Sequence, residues 1–235
     1  MIWVMPAEEA NMPHTTLIFA GGPTPSDVTL SAVREIENVD LTIAADSGLH
    51  TAQLLDKKVD IVVGDFDSVN TTALESAKST KSQIISHSTD KNFTDLELAM
   101  ECAAEKQTER VIVITAGGGR LDHQLGVVAA MFNEKLKQIR VEAIWDNSRL
   151  FALQGSTTHE FSTKVGDLIG LQSFSNSSLI HATTGLKWQL QNETLRNFET
   201  RGVSNVATSQ RVSISLESGQ LLVIHQFEHR HETFS

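Results

Sequence analysis

The 235-residue sequence predicts an α/β fold in two parts. An N-terminal domain built on a parallel sheet covers residues 14–146, and a C-terminal all-β sandwich domain covers residues 147–235. In the first part, short β-rich apolar runs alternate with helical patterns, as βαβ units require. From about Asn147 onward, short strands are separated by turn residues and convincing helices are few. A third observation concerns position: glycines and carboxylates gather directly after the apolar runs of the first part.

Taken in order, TTLIFAGG (15–22), VDLTIAADSG (39–48), VDIVVGDFDS (59–68), QIISHST (83–89), RVIVITAGGG (110–119) and IRVEAIWD (139–146) read as six strands. SDVTLSAVREIEN, LHTAQLLDK and TDLELAMECAAEK read as helices between them, with Thr94 placed to cap the last and Glu97 three residues on. HQLGVVAAMF reads as a further helix, with Asp122 a candidate N-cap. In the second part, RLFALQG, HEFSTKVGD, LIGLQSF, SLIHATTG, RVSISLESG and QLLVIHQF read as strands. Val212, Ile214 and Leu216 alternate onto one face. A hinge is expected near Asp146-Asn147-Ser148.

The formal net charge of −10 argues against unspecific binding to nucleic acid or to an anionic membrane, while leaving room for a locally positive site. A single cysteine, Cys102, excludes an intrachain disulfide and reads as a small apolar core residue. The expected compartment is reducing and cytoplasmic. MIWVMPAEEANMPH has no basic region and is not read as a signal peptide; residues 1–13 are expected to be a loose arm, and Met12 could be the natural start. No stretch approaches the roughly 20 apolar residues of a membrane span.

In a parallel sheet the loops after successive strands emerge at one edge, where open α/β folds bind ligands. Five segments should meet there: Gly21-Gly22-Pro23, Asp46-Ser47-Gly48, Asp65-Phe66-Asp67-Ser68, Ser88-Thr89-Asp90-Lys91, and Gly117 through His123. Asp65 and Asp67, with Asp95 and Asp46, offer the hard oxygen ligands that Mg²⁺ prefers. The glycine loops let backbone N–H groups approach phosphates. Lys91 and Arg120 supply cations for phosphate oxygens. Singly, each feature is an ordinary turn or surface residue; together they suit phosphoryl transfer. Neither GxxxxGK[ST] nor GxGxxG is present.

These residues resemble thiamine pyrophosphokinase. The resemblance rests on Ala45-Asp46-Ser47-Gly48, Gly64-Asp65-Phe66-Asp67-Ser68, Asp90-Lys91-Asn92-Phe93-Thr94-Asp95-Leu96-Glu97 and Gly118-Gly119-Arg120-Leu121-Asp122-His123. The second half adds Thr184 through Leu190 (TGLKWQL) and Gly202-Val203-Ser204-Asn205. The resemblance implies transfer of the diphosphoryl group of ATP to thiamine, giving thiamine diphosphate and AMP. It implies Mg²⁺ held by Asp65, Asp67 and Asp95, and a nucleotide-binding N-terminal domain. It also implies a homodimer with thiamine at the subunit interface.

By the same resemblance, Asp46, Asp65, Asp67, Lys91, Asp95, Arg120 and Asp122 form the catalytic set. Gly21, Gly22, Asp46, Ser47, Lys91, Thr94, Gly118, Gly119, Arg120 and His123 are expected on ATP, and Trp188, Ser204 and Asn205 on thiamine. Asn92 departs from the family pattern, which often has an acidic residue there, and Ser47 stands where glycine is common. Asp46 and Asp122 both remain candidates for a general base. The alternatives are an Mg²⁺-dependent phosphohydrolase with an aspartyl nucleophile, and a non-catalytic thiamine- or nucleotide-binding sensor. The histidines of QFEHRHETFS are too irregularly spaced for a metal site.

Overall fold

The structure, a computed structural model, describes residues 14–88, 90 and 92–227. The expected loose arm 1–13, Thr89, Lys91 and the tail histidines His229 and His231 lie outside the described residues.

Six strands alternate with five helices: β1 (Thr15–Phe19), α1 (Asp27–Arg34), β2 (Leu41–Ala45), α2 (Gly48–Leu54), β3 (Ile61–Gly64), α3 (Thr71–Ser79), β4 (Gln83–Ser86), α4 (Asp95–Glu105), β5 (Arg110–Thr115), α5 (Leu121–Ala130) and β6 (Arg140–Trp145). All six strands are parallel, in the order β6-β5-β1-β2-β3-β4. They carry few polar residues because both faces are covered. Leu17 and Phe19 point to one face and pack with Leu30, Leu49 and Ala73 of α1, α2 and α3. Ile18 points to the other and packs with Leu96, Met100 and Val128 of α4 and α5. Cys102 belongs to that second layer, buried as expected.

Eight further strands follow: β7 (Ser148–Gln154), β8 (Thr157–Ser162), β9 (Leu168–Ser173), β10 (Ser177–Thr184), β11 (Gln191–Arg196), β12 (Asn205–Val206), β13 (Arg211–Ser218) and β14 (Gln220–Gln226). Two sheets share them. β7, β14, β9 and β12 extend the first sheet by antiparallel pairing, and β11-β10-β13-β8 form a second, antiparallel sheet. Between the sheets lies a core that includes Phe151, Ile169 and Val223 from one side and Ile180, Val212, Ile214 and Leu216 from the other. The alternation read in RVSISLESG is therefore a sandwich face.

The expected hinge takes a different form. Asp146 and Asn147 make a tight turn, and β7 pairs directly back onto β6 from Trp145↔Ser148 to Val141↔Ala152. The first sheet thus runs unbroken for ten strands, and Leu150, Ala152 and Leu222 join the same core as α4 and α5. What changes at residue 147 is the direction of pairing. Sequence composition registers that change but carries no sign of which strands hydrogen-bond.

Capping sets the helix starts. Ser26 accepts from Thr29 N at 3.3 Å, Asn70 from Thr72 N at 2.8 Å, and Thr94 from Glu97 N at 3.2 Å, the last as expected. Asp122 corrects an expectation: α5 begins at Leu121, so Asp122 sits in its first turn and Arg120 occupies the N-cap position without a side-chain cap bond. Helix α3 escaped the sequence reading because it buries only two alanines, Ala73 and Ala77. Strand β11 escaped it because only Leu195 is buried there.

Candidate functional site

At the carboxyl edge of the parallel strands lies a cleft of about 620 Å³. Its walls come from the ends of β1 (Gly21, Gly22) and β2 (Asp46, Ser47), from Ser68 after β3, and from the first turns of α4 (Thr94, Asp95) and α5 (Asp122, His123). This is the convergence that the parallel topology demands. A larger groove, about 830 Å³, runs between α2 and α3 past His50, Gln53 and Asn70. It gathers no group of carboxylates, so size does not mark the site.

Asp46 is at the centre. It adopts a left-handed backbone (φ 47°) where β2 turns into α2. Its N–H donates to Val63 O at 2.8 Å, so the end of β2 is pinned to β3. The helix start behind it has room only for glycine, because a Cβ on Gly48 would lie 2.0 Å from Phe19 O. Asp46 is 9% exposed. Ser68 Oγ donates to its Oδ2. Its Oδ1 is one of two buried side-chain polar atoms without a hydrogen-bond partner among the described residues. A buried carboxylate oxygen left in that state is costly unless a cation or donor reaches it.

Asp65 and Asp67 follow β3. Phe66 between them is also left-handed (φ 63°), and Asp67 N donates to Asp65 Oδ1 at 3.2 Å. The carboxylates of Asp46, Asp65 and Asp67 each present an oxygen within 4.8 Å of the others. Asp95 approaches the same spot from α4. A Cβ on Gly64 would stand 3.3 Å from both Asp95 Oδ1 and the Asp46 side chain, so glycine is what lets the two aspartates draw together over β3. Three carboxylates whose oxygens lie this close repel one another, and a nearby cation offsets that repulsion.

The glycine loops divide. Gly22 N donates to Ser47 Oγ at 3.3 Å, which ties the loop after β1 to the loop after β2 in the main cleft. Gly118 instead lines a neighbouring cavity of about 540 Å³ with Pro23, Thr24, Trp145 and Asn147, and Gly119 lies beside Pro23. Arg120 forms a two-pronged ion pair with Asp122, Nε to Oδ1 at 3.1 Å and Nη2 to Oδ2 at 2.6 Å, on the exposed rim. This pair holds the Asp122 carboxyl below its usual range and raises Arg120. Asn92 and Phe93 are exposed on the loop leading to α4.

The residues expected on thiamine gather elsewhere. Trp188 is 49% exposed, with the Lys187 ammonium 4.6 Å from its ring centroid. Ser204 is exposed and left-handed (φ 59°), and Asn205, in β12, is 5% exposed. Trp188 N donates to Asn205 Oδ1 at 3.0 Å, and Asn205 Nδ2 donates to Trp188 O at 2.6 Å. Trp188 is thus joined to β12, the edge strand of the long sheet, and β1 lies six strand spacings away. At ~4.8 Å per spacing that is about 29 Å. One chain does not bring Trp188 to its own acidic cleft.

Sequence reasoning did not assign Ser68, Gly126 or Val127, which also line the cleft. Ser68 lay next to the Asp65–Asp67 pair and was the one with a legible signal. Gly126 and Val127 fall one helical turn after Asp122 and His123, so the i+4 spacing of α5 was the clue.

Two family models match the chain in order. "Thiamin pyrophosphokinase, catalytic domain" matches residues 32–143, and "Thiamin pyrophosphokinase, vitamin B1 binding domain" matches residues 158–221. Thiamine pyrophosphokinase from Bacillus subtilis is 26% identical over 212 residues, covering 89% of this chain and 97% of the relative. Thiamine pyrophosphokinase 1 from rice (Oryza sativa subsp. japonica) is 26% identical over 176 residues; the match covers 71% of this chain and 66% of the rice protein, just under two thirds of its length. Among solved structures, thiamine pyrophosphokinase from Bacillus subtilis superposes with a TM-score of 0.77 at 24% identity, covering 92% of this chain and all of that one. The Candida albicans structure does so with a TM-score of 0.74 at 18% identity, covering 91% and 90%. At these identities the structures speak for the fold.

Proposed function

The chain belongs to the thiamin pyrophosphokinase family, and on that premise we propose that it transfers the diphosphoryl group of ATP to the hydroxyethyl oxygen of thiamine. The observation that carries this reading is the match of both family segments along one chain. Asp46, Asp65, Asp67 and Asp95 fall in the first segment and Trp188 in the second. The alcohol oxygen bonds to the β-phosphorus, the bond from that phosphorus to the α,β-bridging oxygen breaks, and AMP leaves with that oxygen. The alcohol proton departs to solvent or to a carboxylate.

The donor set suits a divalent cation. Three carboxylate oxygens within 4.8 Å of one another, with a buried, unpartnered oxygen on one of the same residues, Asp46, match the hard-oxygen preference of Mg²⁺. Asp65 and Asp67 would hold the ion, with Asp46 and Asp95 completing the carboxylate group. When bound, Mg²⁺ supplies charge neutralisation at phosphate oxygens. Ser68 orients Asp46 through its hydroxyl.

Gly21, Gly22, Ser47, Thr94 and His123 line the cleft that would take the polyphosphate, and Gly118 and Gly119 lie beside it. Lys91 and Arg120 add positive charge. Arg120 depresses the Asp122 carboxyl and engages both its oxygens, which counts against Asp122 as a base. Its role in this reading is to hold Arg120.

The distance between Trp188 and the cleft favours a homodimer. A substrate that stacks on Trp188 and reacts at Asp65 and Asp67 must bridge two chains. Exposed Phe198 (78%) and Val203 (56%) near Trp188 in sequence leave apolar surface for such contact.

The test is to mix protein, ATP, Mg²⁺ and thiamine and to follow AMP and thiamine diphosphate together. Equal formation of both, abolished by EDTA, is expected. ADP or phosphate released without thiamine would identify the hydrolase instead, and saturable binding without turnover the sensor.

A further inference from the structure

We propose that Asn205 is a positioning residue, whose buried carboxamide fixes Trp188 as a rigid platform for the substrate ring and does not itself touch the substrate. The proposal rests on the thiamine reading of the site and assigns a different job to one of its residues.

The carboxamide is nearly consumed by the protein. Oδ1 accepts from Trp188 N at 3.0 Å and from Val206 N at 2.9 Å, and Nδ2 donates to Trp188 O at 2.6 Å. An acceptor oxygen with two lone pairs is then filled, and one of two amide hydrogens is used. At 5% exposure little of the side chain is left for a ligand to reach. The side chain behaves as a short strand partner for Trp188, gripping both its N–H and its C=O.

Ladder contacts on either side extend the same grip. Lys187 N donates to Val206 O at 2.9 Å, Leu186 bridges Ala207, and Thr208 N donates to Gly185 O at 2.8 Å. The segment before Trp188 therefore belongs to the edge strand. Two residues beyond Trp188 the chain is held again, where Leu190 exchanges hydrogen bonds with Thr183 of β10, so between these anchors Asn205 is the side chain that grips Trp188 itself.

The indole itself remains half exposed, and the Lys187 ammonium covers one face at 4.6 Å. In this proposal the flat ring of the substrate stacks on the face away from Lys187. Fixing a stacking residue before the ligand arrives removes part of the ordering cost of binding.

The experiment is a double-mutant cycle on the full-length protein. Asn205→Ala should raise the thiamine KM by no more than Trp188→Ala does, up to about tenfold, the scale of one to two net hydrogen bonds, and leave the ATP KM unchanged. In a Trp188→Ala background the same change should add less than about twofold, because the group it positions is gone. The indole ¹⁵N–H resonance of Trp188, assigned by its loss in Trp188→Phe, should shift or broaden in Asn205→Ala.

Full multiplication of the two losses would overturn the proposal, since Asn205 would then contact substrate directly. An unchanged thiamine KM with an unchanged indole resonance would also overturn it. If Asn205→Ala does not fold, Asn205→Asp, which keeps the acceptor and loses the donor, should show an intermediate KM and resonance change. Should the wild-type protein not turn over thiamine at all, the functional reading fails, and the indole resonance still decides whether Asn205 holds Trp188.

Discussion

The acidic cleft and the Trp188 corner are built by opposite means. In the cleft, charged side chains are pushed together on left-handed turns, and a buried Asp46 oxygen goes without a partner. At the corner every polar group of Asn205 but one amide hydrogen is satisfied, and the exposed element is an apolar ring. The first arrangement leaves a buried acceptor open; the second closes its acceptor within the chain. Strain and unsatisfied charge gather where chemistry occurs, whereas a recognition platform gains from being rigid beforehand.

The largest expected effect tests the cleft. Asp67→Asn removes one charge from an exposed loop position and should lower diphosphoryl transfer by about a thousandfold, the scale of a lost electrostatic group in a catalytic site. The melting temperature should stay or rise, since like-charge repulsion is relieved. A variant that keeps near-wild-type turnover would break the comparison, because the cleft would then not need its charge.

Mixing chains sharpens it. If cleft and platform in one working site come from different subunits, Asp67→Asn and Trp188→Ala chains mixed in equal amounts after dissociation and assayed well below the thiamine KM should show about a quarter of wild-type activity beyond that of the Trp188→Ala homodimers that re-form. Half of the dimers would be mixed, and each would hold one intact site. Turnover that stays at the level of the separate variants places both parts of a site in one chain, against the 29 Å estimate.

A smaller effect concerns the junction between the two regions. Glu142 on β6 lies between Arg110 on β5 and Arg149 on β7, at 2.5 Å and 2.7 Å. Burial opposes its charge, but the two arginines outweigh burial and hold its carboxyl below the ordinary 4.5. A depressed carboxyl stabilises the fold above its unfolded pKa, and that contribution is lost as pH falls through the folded value. Glu142→Gln should therefore cost roughly 2 kcal/mol at neutral pH in denaturant melts, less than a fully buried pair because both arginines reach solvent. The gap from wild type should begin to narrow as pH falls below 4.5 and close beneath the lowered folded value.

Trp188→Ala is expected to be the mildest. Ring stacking and cation attraction are worth roughly 0.5–2 kcal/mol, so the thiamine KM should rise between about twofold and thirtyfold, with the ATP KM unmoved. Trp188→Phe should retain part of the affinity. Equal KM values for wild type and Trp188→Ala would remove the platform from the comparison altogether.

The cleft was the more legible of the two regions. Apolar runs ending in Gly-Gly, Asp-Ser-Gly and Asp-Phe-Asp told of parallel strands whose loops share an edge, so Asp46, Asp65, Asp67 and Asp95 could be brought together on paper. Ser68 was missed as a partner of Asp46, because a serine beside two aspartates looks like any turn residue. Asn205 was found by resemblance, but its amide's occupation by Trp188 could not be read from a separation of 17 residues.

The sequence by itself determined the order of the six parallel strands and of the helices other than α3 in the first half, the capping of α4 by Thr94, the burial of Cys102 and the edge at which the carboxylates would meet. These follow from local periodicity and from the geometry of βαβ connections, which short stretches encode. Only the tertiary structure decided that one ten-strand sheet runs through residue 147, that Arg120 is paired with Asp122, and that Trp188 stands at the far edge from the acids. Strand pairing and side-chain partners depend on distances between remote segments, and composition carries no record of those distances.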